Sequence, residues 1–174
     1  VLVIAIDGLR ADHLSVYGYD RDTSPTLGEL ALQGLCFTDV QASAPQILPA
    51  HAALLTGCEP AIARQFLPPE FEGTSERRWH VPARAPQLAV EFLAAGYATA
   101  AFLDSELLST AHGFGLGFQR SEVLEPEDAE AWEGAQTKRI LGRFLQWQRE
   151  LPADRPWFAY LHLAQLERSW SEPE

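Results

Sequence analysis

The sequence predicts an α/β fold, a mostly parallel sheet flanked by helices. Two features lead there. Aliphatic, β-branched runs alternate along the chain with segments of helical period, an order that builds a parallel sheet covered by helices. The first of these runs, Val1 to Ile6 ("VLVIAI"), is continuously apolar rather than alternating, as expected of a strand buried on both faces. With 174 residues, 47% hydrophobic and 21% charged, the chain is long enough to bury a sizeable core and is read as one domain, 1-174.

After the first strand, Thr26 to Gln33 reads as a helix. Ser24 can cap it, Pro25 fits its first turn and Gly34 stops it. "LCFTDV", Leu35 to Val40, reads as a second strand, and Pro49 to Thr56 as a helix ending at Gly57. From Cys58 to Ala85, Pro68, Pro69, Gly73, Pro82 and mixed charges follow no period, so 58-85 is expected to be a long irregular loop. Gln87 to Ala95 is a helix stopped by Gly96, and "YATAAFL", Tyr97 to Leu103, a strand. The glycine-rich "HGFGLGF", His112 to Phe118, is loop. Glu127 to Leu151 places Trp132, Ala135, Ile140, Phe144, Trp147 and Leu151 at near-helical spacing, the mark of a long amphipathic helix. Its acidic start complements the helix dipole. Pro152 ends it, and "RPWFAYLHL", Arg155 to Leu163, is the last strand. Chemistry in such sheets belongs at the carboxyl ends of strands. That singles out Asp7, the loop before Pro49 and the segment after His162.

Lys and Arg total 13 against 24 Asp and Glu, a formal net charge of -11. Charge of that sign repels phosphate backbones and anionic lipid, which argues against a nucleic-acid or membrane-surface role. Capture of a small anion would need local neutralisation, by a metal ion for example. No apolar run approaches the roughly 18–20 residues of a transmembrane helix. Cys36 and Cys58 are too far apart for a CxxC motif. Cys36 reads as a buried small hydrophobe and Cys58 as an exposed thiol, with a disulfide between them left open. The chain begins directly on a strand, without Met or a signal-peptide pattern, and reads as a piece of a longer protein.

Asp7 directly follows the first strand in "VIAIDGLRADHL". A carboxylate there can bind a hard divalent cation, and Gly8 lets a ligand approach the backbone. It can equally serve as an Asx-turn residue without any metal. Asp12 and His13 read as a surface turn pair. Taken together, "IDGLRADHL", "YGY", "TSPTLGELALQG" and "LPAHAALLTG" resemble the N-terminal part of the sulfatase family within the alkaline-phosphatase superfamily. "VPARAPQLAVEFLAAGYATAAF", "HGFGLGF" and "RPWFAYLHL" follow in the family's order. The resemblance implies a metal-assisted ester hydrolase. Its divalent cation, usually calcium or magnesium, is held by carboxylates after the first strand and by ligands from a C-terminal half that this sequence lacks. The nucleophile, formylglycine in C-x-P-x-R or threonine in relatives acting on phosphorus, precedes a helix whose N–H groups face the anion.

Against that pattern the chemical positions depart. Aligning Pro49 with the family's proline puts Ile47 at the nucleophile and His51 at the arginine. Isoleucine has no heteroatom and cannot form a covalent ester. Ser43, four residues earlier and separated from Ile47 by Pro45, has no reason to replace it. Gly8 stands where some members carry a second carboxylate, and Leu103, Asp104 and Ser105 where some carry Lys and His. After His162, Leu166 and Glu167 occupy the proline and second histidine of H-x-x-x-P-H. Asp7 survives as the expected metal ligand, with His51 and His162 as remnants. His51 otherwise reads as a first-turn residue with local bonds, or as a binder of an anion when protonated. His162 reads as a half-buried, satisfied histidine, and His80 and His112 as loop residues.

The expected function is a sulfatase-like domain without catalysis, in a structural or protein-interaction role with another protein chain as partner. The alternative is the N-terminal part of an active metal-dependent sulfate or phosphate ester hydrolase. A third reading keeps one metal through Asp7 and recognises an anion without cleaving it. No cofactor is expected unless the site is completed, when Ca2+ or Mg2+ would occupy it. By resemblance alone the location is periplasmic or extracellular.

Overall fold

Alternation along four parallel strands sorts the side chains of one sheet into two cores, one on each face. The computed structural model describes residues 1–59, 80–124 and 134–164. Its strands are β1 (Leu2–Ile6), β2 (Ala98–Leu103), β3 (Arg120–Val123) and β4 (Trp157–Leu163), in the order β1-β4-β2-β3. Every neighbouring pair is parallel, with Ala5 opposite His162 and Ala100 opposite Ala159. The helices are α1 (Pro25–Gln33), α2 (Ile47–Thr56), α3 (Leu88–Ala94) and α4 (Ala135–Glu150).

On one face Ala98, Ala100, Phe102, Ala159, Leu161 and Leu163 meet Ile140, Phe144 and Trp147 of α4. On the other, Ala101, Leu103, Phe158 and Tyr160 meet Leu48, Ala52 and Leu55 of α2 and Ala89 of α3. Strand period 2 and helix spacing of three and four therefore produce three layers, helix, sheet and helix. Alanine dominates β2, every residue of which is buried, so the aromatic rings of its neighbours fill the space. Phe102 meets Phe144 edge-on, and Phe158 stacks between Phe92 and Phe118.

The α/β class and parallel sheet are as the sequence predicts, and three expectations need correction. First, "LCFTDV" forms no strand: Leu35, Phe37 and Val40 are 87%, 67% and 73% exposed. No described strand pairs with it, and the Phe37 carbonyl accepts from the Tyr17 hydroxyl instead. A β-branched run becomes a strand only when a neighbour takes its backbone groups. Cys36 is accordingly exposed rather than buried, Cys58 is partly buried, and both are free thiols. Second, β1 is not buried on both faces, since Leu2 and Ile4 are exposed. The core under α4 reaches only its last residue, Ile6. Third, the Ser24 hydroxyl does not cap α1 but pairs with Ser15. Residues 60–79 of the expected loop, the 127–133 start of the expected long helix and the 165–167 segment lie outside the described residues.

The loop through "HGFGLGF" is held against α3. Gly117 has φ 85°, and a Cβ there would sit 2.3 Å from the Val90 backbone nitrogen. Gly57, which ends α2 with φ 68°, has open space around the same position. Gly117→Ala adds a backbone clash to the left-handed strain, whereas Gly57→Ala adds the strain alone. We expect Gly57→Ala to destabilise by about 1 kcal/mol and Gly117→Ala by more than about 2 kcal/mol in urea unfolding.

At the other edge, Glu122 of β3 accepts a forked pair of bonds from Arg143 of α4, at 2.8 and 3.1 Å, and another from Arg120. Burial opposes ionisation of Glu122, but the hydrogen bonds from Arg143 and Arg120 outweigh it and hold the carboxyl below its ordinary 4.5. A depressed folded pKa means stability present above about pH 4.5 and lost as pH falls. Glu122→Gln should cost about 1 kcal/mol or less at pH 7. The gap to wild type in urea unfolding should close as the pH drops below 4.5.

Candidate functional site

Parallel pairing of β1 with β4 builds the site. Asp7 is the residue after β1, and its N–H continues the ladder by donating to the Leu163 carbonyl at 2.9 Å. On β4, alternation turns Phe158, Tyr160 and His162 to the α2 side of the sheet. On α2, the buried positions Leu48, His51, Ala52 and Leu55 form one helical face, which points His51 at the carboxyl edge of both strands.

There the three side chains meet. Asp7 Oδ1 lies 3.0 Å from His51 Nε2, and Asp7 Oδ2 lies 2.8 Å from His162 Nε2. The histidine rings stand edge-on, with centroids 4.9 Å apart. His51 Nδ1 is hydrogen-bonded to the Tyr160 hydroxyl. His162 is 0% exposed, Tyr160 1% and His51 6%, while the Asp7 side chain keeps 17% exposure. Solvent therefore reaches the cluster through the carboxylate.

The proton positions follow from the charges. Burial, and after it the negative charge of Asp7, pushes the Tyr160 phenol above its ordinary range, so it is neutral and donates to His51 Nδ1. His51 Nε2–H then donates to Asp7, as does His162 Nε2–H. Burial works against ionisation of Asp7, but the hydrogen bonds from His162 and His51 outweigh it and hold the carboxyl well below the usual range. His162 Nδ1 is left buried and without a partner among the described residues.

The residues can accept a divalent cation. One carboxylate oxygen and one nitrogen from each imidazole all lie within 4.8 Å of one another. With a cation at Nε2, the Nδ1–H of His51 would face the Tyr160 oxygen, which would accept it as an outer-shell partner. Such an ion would supply positive charge for an anionic group at the strand ends.

The sequence-level candidates thus divide. Asp7, His51 and His162 come together; the bonds of His51 span 44 and 109 residues rather than one helical turn, and His162 is wholly rather than half buried. Ile47, the first residue of α2, packs partly buried against the apolar core. Ser43 is exposed on the approach to α2. Asp104 is fully buried elsewhere on the same edge, taking the Gln136 amide at 3.1 Å and the Ala164 N–H at 3.0 Å. Asp12 and His13 lie in an exposed turn where Arg10 pairs with Asp12. Tyr160 is the residue that sequence reading missed. Its position two before His162 on a strand, hence on the same face, was the available signal. Tyr160→Phe removes the donor to His51 Nδ1 inside the core. We expect a loss of about 1–3 kcal/mol in urea unfolding, more than the packing change alone would give.

Comparison with known proteins agrees with this fold. A family model described as Sulfatase matches residues 1–169. Arylsulfatase A of Bos taurus is 36% identical over 99 residues, 57% of this chain and 19% of that protein. Arylsulfatase A of Homo sapiens is 40% identical over 57 residues, 33% of this chain and 11% of that one. Among solved structures, the phosphonate monoester hydrolase of Agrobacterium radiobacter superposes with TM-score 0.75 at 24% identity, over 99% of this chain and 42% of that one. The C-terminal periplasmic domain of EcEptC from Escherichia coli, in complex with Zn, superposes with TM-score 0.65 at 18% identity, over 94% and 42%. The chain therefore spans less than half the length of the relatives it matches. With its motifs, its parallel sheet and a family match over 1–169, this chain belongs to the sulfatase family.

Proposed function

We propose that this chain is a sulfatase-family domain that does not cleave esters by the family's covalent route and serves as a structural or protein-interaction module. The observation that carries this reading is Ile47. Aligned on Pro49 it holds the nucleophile position at the start of α2, and its side chain is packed against the core. An aliphatic side chain has no lone pair to attack sulfur or phosphorus and nothing that a base or metal could activate.

The interaction role draws on the surface. Leu2 and Ile4 of β1, Leu30 and Leu32 of α1, and Leu35, Phe37 and Val40 beyond it are all exposed. Apolar area of that kind is what a protein surface covers on docking, and the net charge of -11 does not favour a nucleic acid. Residues 1–174 would act as one unit. No described helix is long and apolar enough to cross a membrane.

A second reading, the N-terminal part of an active metal-dependent sulfate or phosphate ester hydrolase, draws support from the Asp7 cluster at the carboxyl edge of the sheet. The full natural chain should be assayed with aryl sulfates, phosphate monoesters and phosphonate monoesters, with calcium or magnesium added. No turnover above background is expected. Turnover that disappears in Asp7→Ala would replace the first reading by the second.

A further inference from the structure

We infer that Asp7, His51 and His162 form a site for a zinc-class cation, not the calcium or magnesium site that family resemblance implies. The cluster offers two imidazole nitrogens and one carboxylate oxygen. Calcium takes about six to eight oxygen ligands and magnesium an octahedral, oxygen-rich shell. Imidazole suits zinc and its neighbours, and two histidines with one carboxylate and an open position is an established zinc donor set.

Among the described residues no second carboxylate is at hand to make the site harder. Gly8 follows Asp7 with φ 75° and has no side chain. Asp104, the other buried carboxylate at this edge, is bound to Gln136 and the Ala164 N–H. The three ligand atoms, one from each residue, lie within 4.8 Å of one another, and bonds of about 2.0–2.1 Å in a tetrahedral site space ligand atoms about 3.3 Å apart. A small ion would draw the side chains together by up to about 1.5 Å.

The Tyr160 hydroxyl at His51 Nδ1 leaves Nε2 as the nitrogen that faces Asp7, and with a cation at Nε2 the hydroxyl would turn to accept from Nδ1–H, the direction found at a ligating histidine. His162 is 0% exposed and turns its Nε2 to Asp7 at 2.8 Å, while a partner for its Nδ1 is not found among the described residues. The carboxylate, the exposed member of the three, provides the way in.

This inference goes beyond the proposed function and does not depend on it, because a chain without ester turnover can still bind the ion. The test is titration of the metal-stripped protein with ZnCl2, CoCl2, CaCl2 and MgCl2 by calorimetry, with visible absorption recorded for cobalt. One zinc per chain is expected, bound at least about 100-fold tighter than calcium or magnesium. Cobalt should show the absorption of a nitrogen-ligated, low-coordinate ion. At a hundredfold excess over Kd, zinc should raise Tm by about 5–10 °C.

His51→Gln and His162→Gln keep an amide that can donate to Asp7 but remove the imidazole ligand, and each should weaken zinc binding at least about tenfold. Cys36→Ser, Cys58→Ser and His13→Ala should leave it unchanged. If His162→Gln does not fold, as judged by circular dichroism, His51→Gln and the cobalt spectrum of the unmutated protein carry the decision. Absence of zinc binding, equal binding of calcium or magnesium, or zinc binding indifferent to the histidine variants would each overturn the inference.

Discussion

The parallel register between β1 and β4 is the constraint on which the rest of this molecule depends. Ala5 stands opposite His162, so the first residue beyond β1 arrives beside a histidine 155 positions away. A slip of one residue would turn His162 and Tyr160 toward α4 and put Leu161 beside Asp7, because side chains alternate faces with period 2. The apolar alternation of β4 forbids that slip. Ala159, Leu161 and Leu163 are matched to Ile140, Phe144 and Trp147, and Phe158 to Phe92 and Phe118. The packing of both cores thus specifies where the polar cluster forms.

Two carboxylates at the same edge, Asp104 buried and Asp7 partly exposed, show how neighbours decide what an acid does. Asp104 is held by an amide and a backbone N–H, joining the end of β2 to α4 and to the residue after β4. Asp7 is held by two imidazoles, each of which can exchange its Nε2 proton for a metal. Both acids are satisfied, and the two imidazoles let the hydrogen bonds of Asp7 be replaced by coordination.

The layers of the fold were legible because they follow from periodicity. β2, β4 and helices α1 to α3 lie within a few residues of where pattern and glycine stops place them. What pattern alone could not supply was pairing. "LCFTDV" has strand composition but no neighbour, and stays open with Phe37 exposed. β3, "RSEV", has a poor strand composition yet pairs with β2, supported by the Glu122–Arg143 contact with α4. The site was legible in parts. Asp7 at a strand end is a local feature, but His51 and His162 gain their meaning only through contacts spanning 44 and 155 residues. Tyr160 sat inside an apolar run and read as core, which by burial it is; its hydroxyl alone belongs to the site.

Ile47 and His51 mark how separable the two parts of this site are. They are four residues apart on one helix and so lie on nearly the same face, yet they answer to different demands. Ile47 packs against the core under α2, so a hydroxyl or thiol there would exchange apolar contact for a polar group at a partly buried position. His51 is fixed by Asp7 on one nitrogen and by Tyr160 on the other, and neither bond involves the residue at 47. The residue at 47 therefore changes without loosening the cluster. The contacts of Asp7 with His51 and the apolar packing of Ile47 are thus independent properties of the same helix and strand ends.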